Sequence, residues 1–181
     1  KCNHCAKTIS IRYPIVEIIS AVALLFTMQL IPYSEAVLFY WMFVHLLVLS
    51  IIDQKWMQIP LSILMSMALG LLGYHLIWTT DLMVPISGLM VGVGFIVFVV
   101  GSNWLVFHKQ TMGYGDLIIV AILGVWLGAI QIFFTIFLAS ILALSVFLAF
   151  SIFNGFNLSK SLPFVPFLSI AAIVIYLINP M

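Results

Sequence analysis

The chain has 181 residues, of which 65% are hydrophobic and 6% charged, and its formal net charge at pH 7 is +1. An average soluble domain is about 45–50% apolar and about 25% charged, so a chain of this size could not bury its apolar surface in water. The composition also excludes a disordered chain, a secreted disulfide scaffold and a nucleic-acid binder, because its two cysteines and six scattered basic residues suit none of these. It indicates an integral membrane protein.

The apolar runs predict an all-α, polytopic bundle of about seven transmembrane helices. The runs are long and do not alternate, and helices satisfy their own backbone hydrogen bonds in lipid. A span needs about 20 apolar residues. The segment from 117 to 153 is too long for one span and is expected to turn back near residues 128–131. The predicted spans are 14–31, 35–52, 60–78, 84–107, 115–127, 130–153 and 163–178.

The basic residues favour a cytoplasmic N-terminus, because positive charge is retained on the inner side of a membrane. In that orientation residues 1–13 form a cytoplasmic N-terminal segment and residues 14–181 a transmembrane domain. The sequence begins at Lys1 and opens on polar residues, so no signal peptide is predicted and an upstream segment is expected. All six basic residues then lie inside: Lys1, Lys7, Arg12, Lys55, Lys109 and Lys160.

Two aspartates are predicted at the same edge of the apolar layer, Asp53 at the end of the second span and Asp116 at the start of the fifth. Acids within a membrane are costly and commonly functional, although each could simply mark a helix end. Asp116 follows Gly113 and Gly115, and glycine allows another segment to approach closely. An alternative is a small membrane transporter that uses both acids as proton or cation ligands. Against it, spans four, six and seven hold almost none of the polar residues that a conduction path requires.

Four ordered segments carry a family resemblance. They are Cys-x-x-Cys with Arg-Tyr-Pro-Ile-Val-Glu over residues 2–17, Ile-Asp followed by Gln-Ile-Pro over 52–60, Gly-Tyr-Gly-Asp over 113–116, and Pro-Phe-Val-Pro-Phe-Leu over 163–168. Together they resemble the type IV prepilin leader peptidases, which are membrane aspartyl proteases of the Gly-x-Gly-Asp class. Two departures are Ile118, where the family usually has lysine, and Val165, where it usually has glycine.

The resemblance implies an endopeptidase that removes the leader from type IV prepilins or pseudopilins at the cytoplasmic face of the bacterial inner membrane. Asp53 and Asp116 would be catalytic. Two carboxylates that share a site hold one proton between them, so one activates water and the other protonates the scissile carbonyl oxygen. Gly113 and Gly115 would leave room for the substrate. Pro163 and Pro166 either keep a helix end open beside the site or simply start a helix.

Further candidates lie near the N-terminus. Cys2 and Cys5 have the spacing of half a zinc site; the site would be completed by an upstream Cys-x-x-Cys, and the alternative is two reduced thiols. Arg12 and Glu17 either pair with each other or handle substrate, as the family motif implies. Proteolysis requires no cofactor. Methylation of the new N-terminus with S-adenosylmethionine is known in the family, but no glycine-rich nucleotide loop indicates it here. The expected partners are the prepilin or pseudopilin substrate and the lipid bilayer.

Overall fold

The structure is a computed structural model that describes residues 11–78, 81–108, 113–154 and 162–179, and all regular structure in these ranges is helical. The predicted all-α class is therefore confirmed. Five of the helices are long and apolar enough to cross a membrane, and α6, with 14 residues, is shorter. The helices are α1 (Arg12–Leu30), α2 (Tyr33–Trp56), α3 (Leu61–Trp78), α4 (Met83–Phe107), α5 (Tyr114–Asn154) and α6 (Val165–Ile178).

The helix α5 consists of two parts, 114–127 and 129–154, that meet at Gly128. Gly128 has φ +78° and ψ 174°, a conformation that is essentially restricted to glycine. A Cβ placed on Gly92 of α4 would lie 3.2 Å from the carbonyl oxygen of Val120 and 3.3 Å from Cγ1 of Ile132. A straight helix would separate Val120 and Ile132 by about 18 Å. The chain therefore turns back on itself at Gly128, which confirms the turn predicted near residues 128–131.

The crossing of α4 and α5 depends on two facing glycines. A Cβ on Gly88 would overlap the carbonyl oxygen of Gly124, and a Cβ on Gly124 would overlap the carbonyl oxygen of Gly88. Small residues let helix backbones approach closely in a membrane, where packing rather than water exclusion drives association. This close crossing supports the first part of α5, which carries Asp116 near its start.

One predicted helix end was wrong by about a turn. The second span was expected to end at residue 52, but α2 continues to Trp56 and stops at Met57, whose φ is +49°. Charged residues that end an apolar run do not necessarily end the helix. The last turn of the helix can extend into the membrane–water interface and keep its backbone hydrogen bonds there. Asp53 consequently lies inside the helix, in its last turn.

The chain forms two compact units, Lys1–Val44 and His45–Met181. In the first, most large apolar side chains of α1 are exposed, which is typical of a helix surrounded by lipid. The second has a packed core from α3, α5 and α6, in which Trp126 stacks on Tyr176 with ring centroids 5.0 Å apart. Other fully buried members of that core are Met67, Ile119, Leu123, Leu168 and Ala172. The predicted boundary after residue 13 stays a prediction, since residues 1–10 lie outside the described ranges.

Candidate active site

Asp53 is held against the start of another helix. The residue is 6% exposed, and its Oδ2 accepts a hydrogen bond of 3.1 Å from the backbone N–H of Val165, the first residue of α6. The first N–H groups of a helix have no acceptor within the helix. The residue before α6, Phe164, supplies no side-chain cap. Asp53 therefore caps α6 from α2, and this contact fixes where the carboxyl group lies.

Asp116 is the third residue of α5 and is partly buried. Its Oδ2 accepts a hydrogen bond of 3.3 Å from the N–H of Gly113, and its own N–H donates to the Gly113 carbonyl at 3.2 Å. Gly115, next to Asp116, packs on Ile59 of the connection that follows α2. Two carboxyl groups from distant parts of the sequence are thus brought near each other, where α2 ends and α5 and α6 begin.

The two glycines before Asp116 have different surroundings. A Cβ on Gly115 would lie 2.8 Å from Cδ1 and 2.9 Å from Cβ of Ile59, closer than side chains tolerate. Gly115 therefore lets the connection between α2 and α3 pack on the start of α5. A Cβ on Gly113 would meet the Asp116 Oδ2 at 3.6 Å, an ordinary contact. What Gly113 contributes is its backbone N–H and carbonyl, which both bond to Asp116.

The two prolines flank Val165. Pro163 lies in the non-helical segment before α6, and Pro166 is the second residue of the helix and is buried. A proline at the first turn removes an N–H that has no partner within the helix. The backbone N–H of Val165 lies between the two prolines and donates a hydrogen bond to Asp53. At the helix start that the prolines were expected to keep open, the N–H of Val165 is thus already bound by the Asp53 carboxyl group.

The remaining candidate residues from the sequence are not among the described residues around the two aspartates. Cys2 and Cys5 are outside the described residues, and so is the side chain of Arg12. Glu17 lies exposed on α1, in the first unit. Among residues 11–78, 81–108, 113–154 and 162–179, no group of three or more His, Cys, Asp or Glu side chains is placed to hold a metal ion.

Four residues around the aspartates were not identified from the sequence. Val165 acts through its backbone N–H, which leaves no side-chain signal. Ile59 was noted only as part of the Ile-Pro block. Ser50 and Ser169 hydrogen-bond to each other at 2.9 Å between α2 and α6, one turn from Asp53. The sequence signal that could have identified the two serines is helical spacing: Ser50 is three residues before Asp53, and Ser169 is four residues after Val165.

The fold and this site define a class: a polytopic helical membrane protein with a pair of neighbouring carboxyl groups where its helices end. The chain belongs to the type IV leader peptidase family, whose model matches residues 40–148. A model of the bacterial peptidase A24 N-terminal domain matches residues 1–31. The prediction of this family from four short segments is confirmed.

Similar proteins bear the name prepilin leader peptidase/N-methyltransferase. One from Aeromonas salmonicida (strain A449) is 30% identical over 179 residues, covering 94% of this chain and 60% of that protein. One from Pseudomonas putida is 32% identical over 176 residues, with the same coverage. One from Legionella pneumophila is 28% identical over 180 residues, covering 96% of this chain and 61% of that protein. The chain thus spans about 60% of the length of these curated relatives. No solved structure matches it.

Proposed function

We propose that this chain is the proteolytic part of a membrane aspartyl endopeptidase that removes the leader from type IV prepilins or pseudopilins. The observation that carries the proposal is the placement of Asp53 and Asp116 where α2 ends and α5 and α6 begin, with Gly115 packed on Ile59. The names of the relatives support the same activity.

The chemistry follows from two neighbouring carboxyl groups that share one proton. The ionised carboxylate takes a proton from a water molecule, whose oxygen attacks the scissile carbonyl carbon. The protonated carboxyl gives its proton to the carbonyl oxygen. When the tetrahedral intermediate collapses, the C–N bond breaks and the leaving amine takes a proton from the pair. The leader leaves as a carboxylic acid, and no covalent enzyme intermediate forms.

The substrate class follows from the position of the carboxyl groups in the helices. Asp53 is in the last turn of α2 and Asp116 in the first turn of α5, so each carboxyl group lies near the end of an apolar helix. A substrate with a polar leader outside the apolar layer and an apolar segment inside it would present its junction at this depth. With the basic residues inside, this edge is the cytoplasmic face of a bacterial inner membrane.

The expectations for zinc and for S-adenosylmethionine stay predictions. Cys2 and Cys5 would supply two thiolates to a zinc site that normally takes four ligands. For the methyltransferase named in the relatives, the described residues contain no strand–loop–helix unit of the kind that binds nucleotides. We therefore assign no residue and no step to S-adenosylmethionine.

The test is cleavage of a prepilin-like substrate in liposomes by the unmodified chain and by Asp53→Asn and Asp116→Asn. Each substitution should lower kcat by about 10²–10⁴-fold, because it removes one of the two proton-transfer groups. Asp81→Asn is the matched control: Asp81 is exposed and its Oδ1 accepts the N–H of Met83 at 2.8 Å, which an amide oxygen also does.

Normal cleavage by either of the two site variants would contradict the shared-proton mechanism. Failure of the unmodified chain to cut any of several prepilins and pseudopilins would contradict the proposed activity. A proton or cation flux into liposomes that depends on both aspartates would then favour the transporter.

A further inference from the structure

Two side-chain hydrogen bonds, one helical turn apart, join the C-terminal half of α2 to α6. Asp53 accepts the N–H of Val165 at 3.1 Å, and Ser50 Oγ donates to Ser169 Oγ at 2.9 Å. Residues three or four apart lie on the same face of a helix. Ser50 and Asp53 therefore share a face of α2, and Val165 and Ser169 share a face of α6. We call these four residues the α2–α6 clamp.

The serine pair of the clamp is connected to the same residue that binds Asp53. Ser169 is 4% exposed, and its Oγ donates to the carbonyl oxygen of Val165 at 2.8 Å. The carbonyl oxygen of Leu46 lies 2.7 Å from Ser50 Oγ and 3.4 Å from Ser169 Oγ. A hydroxyl carries one proton and accepts others. Ser169 can therefore donate to Val165 and accept from Ser50 at the same time, and this contact between the two hydroxyls exists only while α6 keeps its position along α2.

This arrangement fixes both the height and the rotation of α6 at its start. A single contact between two helices leaves them free to rotate about it, whereas two contacts a turn apart do not. The hydrogen bond to Asp53 is 3.1 Å long, near the upper end of the usual range of about 2.7–3.2 Å for N–H···O bonds. A small shift of α6 would therefore release the Asp53 carboxyl.

We propose that Ser169, together with Ser50, is a positioning residue: the serine pair holds α6 so that the N–H of Val165 keeps the Asp53 carboxyl oriented for proton transfer. The inference rests on the proposed function, because it assigns a role within that reaction. Ser169 acts through Val165 and Asp53 and contacts no reacting atom. Loss of orientation lowers the rate of the chemical step more than it changes substrate binding.

The experiment compares Ser169→Ala and Ser50→Ala, singly and together, with the control Ser145→Ala. Ser145 is an exposed serine on α5 whose Oγ donates to the carbonyl of Ile141 at 2.7 Å, so its substitution removes one hydroxyl from a helix without touching the clamp. Two readouts are taken in detergent: kcat and KM for a prepilin-like substrate, and hydrogen exchange of the backbone amides of residues 164–169 by mass spectrometry.

Ser169→Ala should lower kcat by about five-fold with KM unchanged, which is the effect of losing one ordinary hydrogen bond in the transition state. Exchange at the start of α6 should become about ten-fold faster. The double variant should be no slower in kcat than Ser169→Ala alone, because both substitutions break the same contact. Ser145→Ala should match the unmodified chain in both readouts.

Unchanged kcat and unchanged exchange in Ser169→Ala would overturn the proposal. A fall in kcat equal to that of Ser145→Ala, or an increase in KM alone, would also overturn it, since either result means general loosening or altered binding. If the unmodified chain cuts no substrate while Ser169→Ala still accelerates exchange, the proposed function fails and the clamp stands as a structural contact only.

Discussion

Asp53 on α2 accepts the backbone N–H of Val165, the residue at which α6 begins. One carboxyl group thus completes the hydrogen bonding of a helix start and belongs to the aspartate pair. Removing its charge and removing its hydrogen-bonding oxygen are therefore separable changes. Asparagine keeps an acceptor oxygen in nearly the same place, and alanine does not.

We predict that Asp53→Asn and Asp53→Ala both lower kcat by about 10²–10⁴-fold but differ in stability. Asp53→Ala should unfold more readily than Asp53→Asn by about 1 kcal/mol, the usual effect of losing a helix cap. Denaturant titration of both variants in the same detergent measures the difference. Equal stabilities would mean that the bond to Val165 contributes nothing to the fold.

Gly115→Ala should impair both packing and cleavage. The added methyl group would lie 2.8 Å from Ile59 Cδ1, so the connection before α3 or the start of α5 has to move. A displacement of Asp116 by about 1 Å is enough to lower kcat by about 10²-fold. The measurement is kcat at saturating substrate.

Two further variants check the reason given for Gly115. Gly115→Ala combined with Ile59→Gly should recover much of the lost rate, because glycine at position 59 removes the Cβ as well as Cγ1 and Cδ1 and so makes room for the methyl group. Gly73→Ala, at a helical glycine with nothing within 4 Å, should behave like the unmodified chain. No recovery in the double variant would show that Ile59 is not the obstacle.

Gly128→Ala should destabilise the second unit by about 1–3 kcal/mol, since its φ of +78° with ψ near 174° is strained for any residue with a Cβ. The added Cβ would also lie 2.9 Å from Cγ1 of Val84. Thermal unfolding in detergent measures the effect. Gly94→Ala, on α4 with nothing within 4 Å, is the control. An unfolding temperature as high as that of the control would contradict the tight turn at Gly128.

Val165→Gly tests whether the backbone or the side chain at this position matters to the site. The backbone N–H that binds Asp53 is kept, so kcat should change by less than about three-fold. Stability should fall by about 2 kcal/mol or more, because a fully buried valine leaves a cavity. Both quantities come from cleavage assays and denaturant titration. A loss of kcat comparable with that of Asp53→Asn would mean that the side chain, and not the N–H, holds the site.

The sequence predicted the parts of the fold that depend on local composition. Apolar runs located the helices, and the length of the segment from 117 to 153 required a turn that the structure places at Gly128. The prediction that Asp53 and Asp116 lie at the same edge of the apolar layer followed from topology. The contacts of Ile59 with Gly115 and of Ser50 with Ser169 did not, because each joins residues far apart in the chain and depends on how helices rotate against each other. No local pattern encodes that rotation.

The reversal at Gly128 has a consequence for how the protein is built into the bilayer. The first part of α5, residues 114–127, is about 21 Å long, shorter than the hydrocarbon layer of about 30 Å. It is joined to the second part by a single non-helical residue, without a polar linker. The first part is therefore too short to cross the layer as a separate span, although the second is long enough. The two have to insert as one hairpin, so the Asp116 region reaches its final depth only when the entire hairpin has entered.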